Sequence, residues 1–231
     1  MNQLALKFID LTHEITPNSP TWDGHCGFKY HVTHNYHDDE NEPFRIQEIA
    51  MRAGIGTHID APSHVIDGGL NVSELGLNQL IAPVYVIDVS DKAHENYLLT
   101  VDDIKEAENH FGEVTKKSFV IIHTGWEKFW HDKRKYHNNS QFPVVSIKAC
   151  EYLLEKDIVG LGIDTLSADR PESHYPVHKA VLGQGKYLVE NVANAKKLPK
   201  KGAYTLVMPI KAKNLTESPV RLIGLLAHLQ A

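Results

Sequence analysis

Gly56-Thr57-His58-Ile59-Asp60-Ala61-Pro62-Ser63-His64 places two imidazoles and a carboxylate close together, directly after an apolar, strand-like run. Alternate residues of an extended chain face the same way, so His58, Asp60 and His64, all at even positions, share one face. Two nitrogen donors and one oxygen donor on a common face suit Zn²⁺ or Mn²⁺. Gly56 permits positive φ or close backbone approach, and Pro62 stops the segment from continuing as an interior strand. A pair of surface histidines in a turn would show the same letters, and spacing alone does not decide between the two.

The chain has 231 residues, of which 42% are hydrophobic and 23% charged, as in an ordinary water-soluble globular protein. That length suits one large domain or two small ones, and either can bury a substantial core. A net charge of −5 and the lack of a basic cluster interleaved with aromatics argue against a nucleic-acid binder. The densest basic run, Lys196-Lys197 with Lys200-Lys201, reads as a solvated loop. No apolar stretch reaches the roughly 18 residues of a membrane span, and Met1-Asn2-Gln3 opens no signal peptide, so no membrane partner is expected. Cys26 and Cys150 are too few for a disulfide scaffold, which makes a reducing cytoplasm the expected location. Histidine is the unusual entry in the composition, at 15 residues.

Strand patterns outnumber long helices. Leu6–Leu11 and Phe44–Met51 alternate as half-buried strands do, while Val84–Val89, Ser118–His123, Ile158–Ile163, Tyr204–Met208 and Arg221–Leu226 read as buried strands. Helices are predicted over Val101–Phe111 with Thr100 as cap, over Ser146–Lys156, and over a short stretch around Val177–Leu182. Trp126–Asn139 with Gln141-Phe142-Pro143 reads as a surface excursion, a solvated loop in preference to a lid. No repeat or linker divides the chain, so one α/β domain over residues 1–231 is expected.

The motif also resembles the signature of the metal-dependent cyclase and hydrolase family that includes bacterial kynurenine formamidase and isatin hydrolase. That pattern, H-x-G-T-H-x-D-x-P-x-H, is matched at Gly56, Thr57, His58, Asp60, Pro62 and His64; its first histidine is replaced by Gly54. The likeness extends to Ile9-Asp10-Leu11-Thr12-His13, to Gly162-Ile163-Asp164-Thr165-Leu166-Ser167, and to His178 followed by Leu182 and Glu190. It therefore spans almost the whole chain. The resemblance implies a swivelling β/β/α fold, with a small barrel-like mixed sheet and peripheral helices. It also implies a homodimer or tetramer in which loops of one subunit close another's pocket.

In dinuclear members of that family the two motif histidines and the aspartate hold one metal. The second shares the aspartate and adds a downstream histidine and glutamate. Carried over residue by residue, the ligands are His58, Asp60, His178 and Glu190. Without the resemblance, His178 would read as a helix-surface imidazole and Glu190 as a solvated strand end. His64 resembles the family histidine that moves protons beside the metal, accepting one from water and returning it to the leaving group. Trp22 is either an aromatic wall of a substrate pocket or a core anchor. Asp164 either orients a ligand or caps the turn that follows it.

No G-x-S-x-G elbow, P-loop or dinucleotide fingerprint is present. The expected function is hydrolysis of an amide, cyclic amide or ester-like bond of a small molecule, aryl formamides first. An isatin-like ring or a lactone is the alternative substrate. A family member that binds a small molecule or metal without turnover is the non-enzymatic alternative, kept open by Gly54. A glycine supplies no donor, so one tightly held metal per chain is expected, placed among Asp60, His178 and Glu190 with His58 bound or nearby. Gly54→His should then raise the stoichiometry toward two. His25, His34, His37 and Cys26 are upstream candidates to stand in for the missing histidine, and none has spacing that selects it.

Overall fold

The computed structural model describes residues 4–229; Met1-Asn2-Gln3 lies outside them. Twelve strands occur among these residues: β1 (Leu4–Asp10), β2 (Phe28–His34), β3 (Ile46–Met51), β4 (His58–Asp60), β5 (Ile81–Asp88), β6 (Leu98–Leu99), β7 (Phe119–His123), β8 (Val144–Val145), β9 (Gly160–Ile163), β10 (Tyr187–Glu190), β11 (Ala203–Pro209) and β12 (Glu217–Leu229). Five α-helices accompany them: α1 (Leu77–Leu80), α2 (Val101–Phe111), α3 (Lys133–His137), α4 (Ile147–Glu155) and α5 (Pro176–Gly183).

The main sheet runs β1-β12-β11-β5-β7-β9-β10-β4, and a further pairing of β4 with β12 closes seven of its strands into a ring. β5, β7, β9 and β10 run parallel to one another, and the remaining pairs of this sheet are antiparallel. Closure removes the exposed edges that an open sheet would leave on these strands. The mixed, barrel-like sheet with outer helices implied by the family resemblance is present.

Residues alternate across this sheet with period two. Val84, Val86, Phe119, Ile121, Tyr187 and Val189 join one hydrophobic cluster, inside the ring. Their neighbours Tyr85, Ile87, Val120, Ile122, Leu161 and Leu188 join a second, under α2, α4 and α5. Both faces of the parallel strands are therefore buried, which is why those strands read as continuous apolar runs. α2 and α4 begin where their caps predict: Thr100 and Asp103 bond reciprocally, and Ser146 Oγ accepts from the Ala149 amide.

Two expectations are corrected. Phe44–Met51 was expected to be half-buried, but β3 pairs only with β2, and the ribbon is exposed on both faces. No third element among the described residues covers it, so Tyr30, Ile46 and Ile49 face outward. Trp126–Asn139 is a packed unit instead of a solvated loop. Trp126, Trp130 and Tyr136 build a buried cluster with Phe142, Val144 and Leu166.

Inside the ring, the Phe119 and Tyr187 rings stack with centroids 5.5 Å apart. They fit because the strand between them, β9, presents glycine at both inward positions. A Cβ on Gly160 would lie 2.6 Å from the Tyr187 ring, and one on Gly162 2.8 Å from Phe119. Alanine at an ordinary strand position gains over glycine through backbone entropy. Here the overlap should win, and Gly160→Ala should lower stability by roughly 1–3 kcal/mol in urea unfolding. An unchanged or raised stability would show that the ring tolerates more interior volume than this packing allows.

Candidate active site

Strand β4 is paired on both edges, and its register builds the site. Glu190 on β10 lies opposite His58, and Glu217 on β12 lies opposite Asp60. Directly opposed residues point the same way, so all four side chains emerge on one face while Ile59 turns into the ring core. α5 adds His178 from above. His58, Asp60, His178 and Glu190 are all buried.

The local backbone is fixed around this strand. Gly56 has φ +65°, and a Cβ there would meet Ile15 at 2.9 Å. Its carbonyl accepts from His58 Nδ1 at 2.9 Å and from Asn191 Nδ2 at 2.8 Å. Tyr136 of the packed excursion donates its hydroxyl to Asn191 Oδ1 at 2.8 Å. This chain of contacts holds His58 by Nδ1 and turns Nε2 toward Asp60 Oδ1 and Glu190 Oε2, each 3.5 Å away. His178 is arranged in the same manner. Its Nδ1 donates to Asp169 at 2.8 Å, and that carboxylate also accepts the Val177 and His178 amides that open α5. His178 Nε2 then faces Glu190 Oε1 at 3.3 Å and Asp60 Oδ2 at 3.6 Å. A histidine held at one nitrogen by an acceptor, with the other aimed at carboxylates, is the usual arrangement of a metal-binding imidazole.

The residues fit a divalent cation on a specific observation: Asp60 Oδ1 is buried and has no hydrogen-bond partner. Two donor groups, each with its atoms within 4.8 Å of one another, meet at that carboxylate: His58, Asp60 and Glu217, and Asp60, His178 and Glu190. The electrostatics agree. Burial and the neighbouring Glu190 push the Asp60 carboxyl up to about 6. Burial works against a charged His178, but its bond to Asp169 and the Glu190 carboxylate outweigh that and raise it to about 10. Burial also opposes a charged His58, and Asp60 with Glu190 reverses the balance upward. In Glu190 the desolvation cost is overcome by His178, which holds its carboxyl low. A field that retains protons on two buried imidazoles is also one that attracts a cation.

This face opens into a cavity of about 440 Å³. Trp22 lines it, 38% exposed, with its ring 6.2 Å from that of Tyr175, so Trp22 is a cavity wall and not a core anchor. His174 and Tyr175 both adopt left-handed backbone, with φ +62° and +58°. Such strain is held only where surrounding contacts enforce it, and here it presents the Tyr175 ring beside His178. His64 also lines the cavity but does not reach it as the sequence predicts. β4 ends at Asp60, and a short 3-10 turn over Pro62–His64 carries His64 round, outside both donor groups. Its Nδ1 is 3.6 Å from Glu217 Oε2.

Asp164 touches none of these groups. It accepts from the Thr124, Gly125 and Trp126 amides, capping a turn that precedes it in the chain. Among the described residues, His25, His34, His37 and Cys26 neither line the cavity nor enter either donor group. His34 bonds the Glu42 carbonyl and Cys26 the Phe28 carbonyl, on the exposed ribbon and its approach. Sequence reasoning missed Glu217, Asp169, Asn191, Tyr136 and Tyr175.

Comparison with known proteins places this geometry. A family model described as "Putative cyclase" matches residues 9–170. An isatin hydrolase from Roseibium aggregatum is 32% identical, over 95% of this chain and 92% of that protein. A kynurenine formamidase from Geobacillus thermodenitrificans is 28% identical, over 93% and 95%. Among solved structures, an isatin hydrolase bound to the product analogue thioisatinate superposes with a TM-score of 0.87 at 30% identity, covering 96% of this chain and 93% of that one. A potential metal-dependent hydrolase with cyclase activity gives 0.75 at 26% identity, over 96% and 98%. The chain belongs to the putative cyclase family.

Proposed function

We propose that this protein is a metal-dependent hydrolase that cleaves the C–N bond of an amide or cyclic amide in a small aromatic molecule. The observation that carries this reading is the buried Asp60 carboxylate, its Oδ1 without a hydrogen-bond partner, set between two imidazole Nε2 atoms beneath an aromatic-walled cavity. His58, Asp60, His178 and Glu190 would hold the cation, Zn²⁺ or Mn²⁺. When bound, it would supply Lewis-acid polarisation of the carbonyl and a lowered pKa for water.

The other steps belong to the chain's own residues. Trp22 and Tyr175 orient the planar substrate and exclude solvent from one side of it. His64 stands at the cavity beside the donor groups, on a backbone turn that keeps it out of them. It takes a proton from the attacking water as the new C–O bond forms, then gives that proton to the departing nitrogen as C–N breaks. Glu217 Oε2 faces the Nδ1 edge of that ring, 3.6 Å away.

Aryl formamides, as in the kynurenine formamidases, and isatin-type cyclic amides both fit this scheme. Relatives of both kinds support it, an isatin hydrolase at 32% identity and a kynurenine formamidase at 28%. We further propose a homo-oligomer, a dimer or tetramer, because the β2–β3 ribbon exposes apolar residues on both faces and a two-stranded ribbon is marginal alone in water. A cytoplasmic location fits the free thiols of Cys26 and Cys150. Among the described residues no helix is long and apolar enough to cross a membrane.

Two outcomes test the reading. Protein loaded with Mn²⁺ or Zn²⁺ should hydrolyse N-formylaniline derivatives or isatin, and exhaustive chelation should abolish turnover and lower the melting temperature. Binding of these compounds with stabilisation but no product would instead identify a non-catalytic family member. His64→Gln should keep its metal content yet lose roughly 10²–10⁴-fold in kcat/KM. Loss within a few-fold would remove His64 from proton transfer, and loss of metal would make it a ligand.

A further inference from the structure

Position 54 is where this chain departs from its family's metal signature, and the structure shows what stands there. Gly54 is absent from the residues with positive φ, so its backbone does not require glycine. Space does. A Cβ built on Gly54 would overlap Glu217 Oε1 and would lie 3.4 Å from His58 Nε2. The volume that a histidine at 54 would enter is filled by the carboxylate of a residue on β12, far away in sequence. That carboxylate is delivered by register, since Glu217 is the β12 residue opposite Asp60.

We propose that Glu217 supplies the donor that position 54 lacks. The chain then holds two cations, one by His58, Asp60 and Glu217 and the other by Asp60, His178 and Glu190. This inference rests on the metal-dependent reading above. Acidic clusters are common without a metal; here the buried and unpartnered Asp60 Oδ1 is the independent sign, because it faces His58, which shares a donor group with Asp60 and Glu217. Asp60 Oδ2 faces His178, so one carboxylate offers an oxygen to each group. The exchange also changes the chemistry of the first position. Two imidazoles and a carboxylate become one imidazole and two carboxylates, a harder and more anionic donor set that shifts preference from Zn²⁺ toward Mn²⁺. It revises the expectation of one tight metal, and the expectation that Gly54→His alone would add a second, because that side chain would collide with Glu217.

The test is metal content and affinity, measured on full-length protein equilibrated with Mn²⁺ alone and with Zn²⁺ alone. The parent should hold two Mn²⁺ per chain. Glu217→Gln, isosteric but neutral, should hold one, with the affinity of the other lowered beyond the roughly 10–100-fold typical of residues that only support a ligand. The ion retained by Asp60, His178 and Glu190 reports that this variant is folded. The double exchange Gly54→His with Glu217→Gly should restore two ions and move the preference toward Zn²⁺. Two equally tight ions in Glu217→Gln would overturn the assignment, as would a parent that holds only one. A parent that binds no cation in either medium would overturn the metal-dependent reading itself, which separates the two failures.

Discussion

The pairing of a three-residue strand on both of its edges is the constraint on which the rest of this molecule depends. β4 joins β10 to β12 and so closes the ring. Because its register is fixed from two sides, its alternation cannot slip: one residue of slip would send Ile59 outward and both His58 and Asp60 into the apolar core. The hydrophobic cluster inside the ring therefore enforces the polar cluster outside it. Specificity of the site comes from the same period-two geometry that makes the barrel.

That placement carries a cost. Burying Asp60 and Glu190 beside one another is unfavourable unless the charges are compensated. Compensation comes from two imidazoles whose remaining nitrogens are tied down, His58 by the Gly56 carbonyl and His178 by Asp169. A proton and a divalent cation compete for the same Nε2 lone pairs, so cation affinity in such a site depends on pH. The rigidity of the supports matters as much as the donors. Tyr136, Asn191 and Gly56 form a line from the aromatic excursion to His58, which gives that excursion a structural purpose beyond covering the barrel end.

What the sequence disclosed follows the range of each interaction. His58 and Asp60 were legible because their relation is local, two residues apart on one strand. The helices over Val101–Phe111 and Ser146–Lys156 were legible because their caps sit beside them in sequence. His178 and Glu190 became ligand candidates only through the family resemblance, since α5 and β10 carry no pattern that aims them at β4. Glu217 was invisible: its role depends on which β12 residue pairs with Asp60, and no local signal encodes that register. His64 lines the cavity from a short turn, and not from the even strand position expected, because the strand ends at Asp60. The β2–β3 ribbon shows the opposite failure, an alternating pattern that finds no cover within the described residues.

The central claim is that Asp60 lies between two cation positions created by β4, its two partner strands and α5. An anomalous-scattering measurement at the manganese edge, on crystals grown with Mn²⁺, tests it most directly. The account predicts two peaks flanking the Asp60 carboxylate, one on the side of His58 and Glu217 and one on the side of His178 and Glu190. A map with no peak at Asp60, or with peaks only among other histidines of the chain, would contradict it.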